Sequence, residues 1–97
     1  MNGSVYKINP TAIAQLRDKY PHVDIVFMVN GDESTHPNET KADALLVTHK
    51  SKQYNVSVVP LSERVFGYEV TEVGMLMDTV LGVFNTEVSA IERILED

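Results

Sequence analysis

The sequence predicts a small α/β domain of the α+β kind, with a mixed or antiparallel sheet of four to five strands carrying a short N-terminal helix and a long C-terminal helix. Three observations predict this class: an Asn-Pro helix start, a series of short β-branched runs, and an amphipathic stripe over the last third of the chain. We expect the order β-α-β-β-β-(β)-α over residues 1–97, with both helices on one face of the sheet.

The first elements follow from local patterns. Residues 4–8 predict a short strand, and Asn9-Pro10 then opens a helix, because Asn is a good N-cap and Pro is favoured at the first helical position. Tyr20-Pro21 ends that helix, because a residue before proline is pushed out of the α region. Residues 22–29 consist of His22 followed by V-D-I-V-F-M-V. This β-branched and nearly apolar run predicts a strand covered on both faces.

The middle of the chain predicts a β-hairpin and one further strand. Residues 44–49 and 54–59 are the two arms, joined around Lys50-Ser51-Lys52-Gln53. Tyr54, Val56 and Val58 share one face of the second arm and point to the core. Residues 65–70 favour a short fifth strand, and a helical turn over residues 62–66 is the competing interpretation.

The last third predicts a long helix. Thr71 is a plausible N-cap, and apolar residues recur in steps of three and four at Val73, Met77, Val80, Phe84, Val88, Ile91 and Leu95. An unbroken helix over residues 72–96 would span about 37 Å, as long as a compact domain of this size is wide. Asn85-Thr86 offers a break into two helices, and the pattern leaves both options open.

Composition excludes several function classes. The chain has no cysteine, so disulfides, thiolate metal sites and a cysteine nucleophile are excluded. Its longest apolar run is residues 25–29, and residues 1–10 hold no signal-like run, so a cytoplasmic location is expected. The net charge of −6 lies wholly in residues 61–97, with eight acids against two arginines. Direct nucleic-acid binding is disfavoured, because phosphate contacts need clustered Lys and Arg.

The acids of the predicted last helix are the candidate partner-binding surface: Glu72, Asp78, Glu87, Glu92 and Glu96. The simplest alternative is a solvated face of a helix packed on the sheet. A second alternative is helix packing against a second copy, through Gly74, Met77, Leu81, Gly82, Phe84 and Val88. A third is an acidic mimic of nucleic acid that docks on a basic protein surface.

The polar loop from Gly31 to Asp43 is the candidate site for a small enzyme or ligand binder, because loops after strands often carry active sites. It holds acids, a serine and a histidine, but neither calcium-loop spacing nor a G-x-S-x-G turn, so a solvated connection is favoured. His22, His36 and His49 lack metal-ligand spacing, and phosphate-binding glycine motifs are missing, so no metal or cofactor is expected.

These patterns together predict a non-enzymatic protein-interaction module, such as a small regulator, inhibitor or adaptor. It would be an acidic homodimer that binds another protein, with a basic surface on that partner as the favoured complement. The acidic mimic and the small enzyme using the loop between Gly31 and Asp43 remain the alternatives.

Overall fold

A computed structural model describes residues 7–36, 39 and 41–96 of the chain. They fold into one antiparallel sheet with two short helices. The elements in chain order are α1 (Pro10–Lys19), β1 (Asp24–Val29), β2 (Asp32–Glu33), β3 (Ala44–His49), β4 (Lys52–Pro60), β5 (Phe66–Glu72), β6 (Thr79–Phe84) and α2 (Glu87–Leu95). The α+β class is confirmed, whereas the sheet has six strands in place of four to five.

The sheet has the order β2-β1-β3-β4-β5-β6, and all of its neighbouring strands are antiparallel. Since β1, β3, β4 and β5 lie in the middle, β2 and β6 are the outer strands among the described residues. One end of the sheet carries the β3–β4 turn and the β5–β6 connection. The other end carries the β1–β2 turn, residues 34–43 and the β4–β5 connection.

Helix α1 forms as the sequence predicts. The Asn9 side chain accepts a hydrogen bond from the backbone N–H of Thr11 at 2.9 Å, and Pro10 occupies the first turn. Tyr20 ends the helix before Pro21, and its N–H bonds to the carbonyl of Leu16 at 2.8 Å. A capping side chain of this kind stabilises a helix by about 1 kcal/mol.

Both helices pack on one face of the sheet, as predicted. Alternate residues of the four inner strands point to the helices and are buried, namely Ile25, Phe27, Leu45, Val47, Tyr54, Val56, Tyr68 and Val70. The helices and the segment before α1 complete this core with Ile8, Ile13, Leu16, Ala90, Ile91 and Ile94. We call the opposite side of the sheet the open face.

Strand β1 corrects the prediction of a strand covered on both sides. Its buried residues Ile25 and Phe27 alternate with half-buried Val26 and Met28, which lie on the open face. The apolar run reflects β propensity on a surface that is half covered. The predicted alternation of residues 54–59 is confirmed, since Tyr54 and Val56 are buried while Asn55 and Ser57 are not.

Strand β2 was not predicted. Asn30 and Gly31 have φ angles of 52° and 87°, and Val29 pairs with Asp32, so these two residues form a tight hairpin turn. Asn-Gly is the preferred pair for such a turn because both positions need positive φ. The polar loop therefore begins inside a hairpin. Of the predicted strand over residues 4–8, residues 4–6 lie outside the described residues, and Lys7 and Ile8 are not in a strand.

The long C-terminal helix is the main error of the sequence analysis. Residues 72–96 instead form the end of β5, a connection over residues 73–78, strand β6, and the nine-residue helix α2. The Thr86 side chain caps α2 by accepting from Ser89 N–H at 3.1 Å, near the break considered at Asn85-Thr86. An unbroken helix would hold Gly74 and Gly82 in its interior, at about 1 kcal/mol each, and would forgo the pairing of β6 with β5.

The β3–β4 hairpin is confirmed and is tighter than predicted. His49 pairs with Lys52, so the turn consists of Lys50 and Ser51 alone, with φ angles of 52° and 66°. Both residues carry side chains in the left-handed region, which costs each of them about 1 kcal/mol. The strand predicted over residues 65–70 is confirmed from Phe66 onward as β5, whereas Val65 lies in the β4–β5 connection.

Replacing this strained pair with the pair found in the β1–β2 turn should stabilise the protein. We expect the double variant Lys50→Asn/Ser51→Gly to raise the free energy of unfolding by about 1 kcal/mol, because Asn and Gly tolerate positive φ. Urea unfolding measures this change. Ser62→Gly, in a connection without positive φ, is the control and should give no gain; an equal gain there would refute the strain argument.

Candidate functional site

The connection between β5 and β6 exposes a run of large apolar side chains. Met75 and Leu76 are exposed at 103% and 101%, and Met77 at 77%. We call residues 73–78 the β5–β6 tip. Scattered apolar side chains are normal at a surface, whereas an apolar cluster that is this exposed marks an interaction site. Methionine also adapts its shape readily, which suits a contact surface.

The tip is a built turn. Gly74 N–H donates to Asp78 Oδ1 at 3.1 Å, and Val73 N–H donates to the carbonyl of Gln53 at 2.9 Å. A Cβ atom at position 74 would collide with the carbonyl oxygen of Met77, so only glycine fits there without a shift of the backbone. These contacts fix the backbone of the turn while its apolar side chains point into solvent.

Charged residues border the tip. Lys52 Nζ lies 3.4 Å from Glu72 Oε1 across the β4–β5 pair, and Asp78 closes the turn. Val80, at the start of β6, extends the apolar area and is 58% exposed. An apolar centre with a polar rim is the usual anatomy of a protein–protein contact.

The five acids proposed from the sequence do not share one helix. Glu72 ends β5, Asp78 lies in the β5–β6 tip, and the other three belong to α2 or its C-cap. Two of the five therefore border the tip, at some distance in the chain from α2. The predicted continuous acidic helix face does not exist.

Glu87 is buried in its own subunit. Its Oε2 accepts a hydrogen bond from the backbone N–H of Asn9 at 2.7 Å, which joins the start of α2 to the start of α1. Beside it, the Tyr68 hydroxyl donates to the carbonyl of Lys7 at 2.7 Å. Burial, together with the charge and hydrogen bonding of the Glu87 carboxylate, raises the pKa of Tyr68 to about 12. Glu87 is thus a structural carboxylate.

Glu92 and Glu96 remain at the surface of α2. Glu92 Oε2 lies 3.9 Å from Lys19 Nζ, and both side chains are well exposed, so this pair contributes little to stability. The two acids line an open groove with Tyr20 and Leu95, where the ends of α1 and α2 meet. The groove presents carboxylates beside an apolar and an aromatic side chain.

The residues proposed for helix packing form two groups. Gly74 and Met77 lie in the β5–β6 tip, and the β6 members are Leu81, Gly82 and Phe84. Val88 stands apart on α2, where it is partly exposed. Met75 and Leu76 were not among the predicted site residues, because they fall inside the predicted helix. An apolar run set between Gly74 and Asp78, two residues typical of turns, was the feature that could have revealed them.

The polar loop and two of the histidines lie at opposite ends of the sheet. Glu39 accepts from Lys41 N–H at 2.8 Å and from Ser34 Oγ at 3.0 Å, and these bonds lower the pKa of its carboxyl. The Ser34 hydroxyl also accepts from His36 N–H at 3.2 Å. Residues 37, 38 and 40 of this loop lie outside the described residues. Within the described part of the loop, Ser34, His36, Glu39 and Lys41 thus bond to one another.

His22 and His49 meet at the end of the sheet that carries the β5–β6 tip. Their ring centroids are 5.8 Å apart, and Tyr20 packs edge-on against His22. Burial lowers the pKa of His49, and the charges of Lys50 and His22 act in the same direction. Within residues 7–36, 39 and 41–96, no three His, Asp or Glu side chains are grouped so as to hold a metal ion.

The chain matches no known protein family, no curated protein and no solved structure. Neither helix in the described part of the chain is long and apolar enough to cross a membrane. Among the described residues, Met75 and Leu76 of the β5–β6 tip are the most exposed large apolar side chains.

Removal of the Glu87 carboxylate should destabilise the protein. We expect Glu87→Ala to lower the free energy of unfolding by about 1–3 kcal/mol, because the part-buried hydrogen bond from Asn9 N–H to a charged carboxylate is lost. Glu92→Ala, on the exposed side of the same helix, should change it by less than about 0.5 kcal/mol. Chemical denaturation compares the two variants. Equal small effects would contradict the structural role of Glu87.

The free energy of unfolding should decrease at acidic pH because of His49. The unfolded chain holds this histidine at its ordinary pKa of about 6.5, and the folded chain lowers that pKa, so the unfolded state binds more protons. The contribution is complete above about pH 7 and declines as pH falls through 6.5 towards the lower folded value. Unfolding free energies measured from pH 8 to 5 should show a shallower decline for His49→Gln. His36→Gln, in the polar loop, should keep the slope of the original chain.

Proposed function

We propose that this protein is a non-enzymatic interaction module that binds another protein through the β5–β6 tip. The observation that carries the proposal is the full exposure of Met75 and Leu76 on a turn with a fixed backbone. Exposing such side chains to water is unfavourable by about 1.5–3 kcal/mol each relative to burying them. A partner that covers them recovers this free energy without first having to order the turn.

The expected partner has an apolar groove bordered by basic side chains. Glu72 and Asp78 border the tip, and the chain carries a net charge of −6. Opposite charges around an apolar contact guide association and reject wrong partners. Lys52 offsets the charge of Glu72 at the tip, so it is the net charge of −6 on the whole chain that disfavours an anionic lipid surface or a nucleic acid, because both would be repelled.

This proposal keeps the function expected from the sequence and moves the contact surface. A regulator, inhibitor or adaptor in the cytoplasm remains the proposed role. The acidic-helix version loses support because Glu87 is buried and Glu72 lies on β5. The acidic-mimic alternative needs a row of free carboxylates, whereas on α2 Glu87 is buried and Glu92 pairs with Lys19 at 3.9 Å.

A small enzyme is the less supported alternative. It would require the polar loop to form a pocket with His22, His36 or His49. His36 lies in that loop, whereas His22 and His49 lie at the opposite end of the sheet. The groove beside Tyr20 and Glu92 is open and lies on the helix side of the molecule, away from that loop. Support for a binding role therefore comes from the exposed tip alone.

Partner capture should depend on the tip. Leu76→Asp places a charge at the centre of the apolar run, and we expect it to weaken binding roughly 30-fold, or about 2 kcal/mol. Leu76 is 101% exposed, so the variant should unfold at the same temperature as the original chain. Partners are captured from the native cell extract, identified by mass spectrometry, and then titrated as purified proteins against each variant.

Val65→Asp is the matched control. Val65 is an apolar residue in the β4–β5 connection, 53% exposed and at the opposite end of the sheet. The same substitution there should leave binding unchanged. A partner that binds both variants as tightly as the original chain would overturn the tip as the contact surface, and loss with both would indicate non-specific apolar capture.

A further inference from the structure

The two outer strands of the sheet differ in how they are protected. Strand β2 has two residues, and both are acids, Asp32 and Glu33. Strand β6 has six residues, T-V-L-G-V-F, with neither a charge nor a proline. Natural sheets guard their edges with short strands, charges or prolines, because an unguarded edge offers backbone N–H and C=O groups to another strand. Of the two outer strands among the described residues, β6 is therefore the less protected against pairing with another strand.

Strand β6 also exposes apolar side chains on one face. Val80 pairs with Thr71 of β5 and Val83 pairs with Glu69, and a bulge leaves Leu81 as the extra residue between them. Since Thr71 and Glu69 are two residues apart, Val80 and Val83 lie on the same open face. They are 58% and 49% exposed. Val80 and Val83 thus form an exposed apolar pair along the edge.

We propose that two copies of this chain pair through β6 in antiparallel orientation, around a two-fold axis between Leu81 and Gly82. In this register Thr79 faces Phe84 of the second copy, and Val80 faces Val83 of the second copy. The two residues of each pair lie on the same face of the sheet. Thr79 pairs with Glu72 of β5 and Phe84 pairs with Tyr68, so both point to the helix side, whereas Val80 and Val83 both point to the open face. A two-fold contact of this kind buries the same patch on both copies.

At the centre of this register, a large side chain faces a residue without one. Leu81 of one copy faces Gly82 of the other, and Gly82 has no side chain. On each side of the centre, two exposed valines meet across the strands, a pairing that stabilises sheets by about 0.2–1 kcal/mol. The strand is therefore complementary to itself in both shape and face.

Charge favours the pairing of two copies through β6 and disfavours their pairing through β2. Each copy carries a net charge of −6, so two copies associate most readily where neither presents a charge. Strand β6 meets this condition. Two β2 edges would bring Asp32 and Glu33 against the same acids, and like charges that face each other across strands are destabilising.

This inference goes beyond the proposed function and does not rest on it. The edge contact uses Val80 and Val83, whereas partner binding centres on Met75 and Leu76. A six-residue edge buries less than the roughly 800 Å² per partner of a standard interface. We therefore expect a reversible dimer that dissociates on dilution.

Disulfide trapping tests the register, since the chain has no cysteine of its own. Val80→Cys and Val83→Cys are purified as separate single variants, then oxidised alone and as an equal mixture. In the two-fold register, position 80 of one copy lies opposite position 83 of the other. Facing Cβ atoms are about 4.5–5.5 Å apart, which is close enough for a disulfide to form with a small adjustment. Two copies of position 80 would be roughly 10 Å apart, too far for a disulfide.

The expected result is a covalent dimer in the mixture and little or none in either variant alone. A mixture of Val80→Cys with Val65→Cys, which is similarly exposed but far from β6, should give none. Self-crosslinking of a single variant would overturn the register, and an uncrosslinked mixture would overturn the interface. Sedimentation equilibrium adds a second measurement: Val83→Lys should shift the original chain from dimer towards the 10.8 kDa monomer, and Val65→Lys should not.

Discussion

The burial of one sheet face beneath two helices of ten and nine residues is the constraint on which the rest of this structure depends. Two such helices lie side by side over a width of about 20 Å, whereas six strands span roughly 24 Å. The buried strand residues accordingly come from β1, β3, β4 and β5. The Glu87 carboxylate fixes this cover by accepting from Asn9 at 2.7 Å. Helix α2 also reaches β6, where Leu81 and Phe84 pack partly buried against the core. The open-face residues Val80 and Val83 and the β5–β6 tip stay exposed, which makes them available for contacts.

Local chemistry was enough to predict much of the fold. The Asn9-Pro10 start and the Tyr20-Pro21 end define α1 because capping and proline sterics act within a few residues. The β3–β4 hairpin follows from alternating side chains and a polar turn. The Asn30-Gly31 pair also indicates a tight hairpin turn, because both residues tolerate positive φ, and it could have predicted β2.

Residues 72–96 could not be assigned from spacing because of a bulge. In a regular strand, residues two apart share a face, whereas in β6 the extra Leu81 puts Val80 and Val83, three apart, on one face. That spacing is the one an α-helix produces, so the strand imitated a helical stripe. The candidate site was misplaced for the same reason. Met75 and Leu76 fell inside the predicted helix, and the collision that requires glycine at position 74 depends on the folded turn.

The short acidic strand β2 has a consequence for assembly size. When two sheets join at β6, the outer strands of the combined sheet are the two copies of β2, each two residues long and ending its hairpin at Asn30-Gly31. Neither can template a further strand, because Asp32 and Glu33 repel an incoming acidic chain and the backbone offers few groups to pair. In the proposed dimer, β2 therefore disfavours the addition of a third copy, and pairing through β6 would cover the apolar edge without opening a route to fibrils.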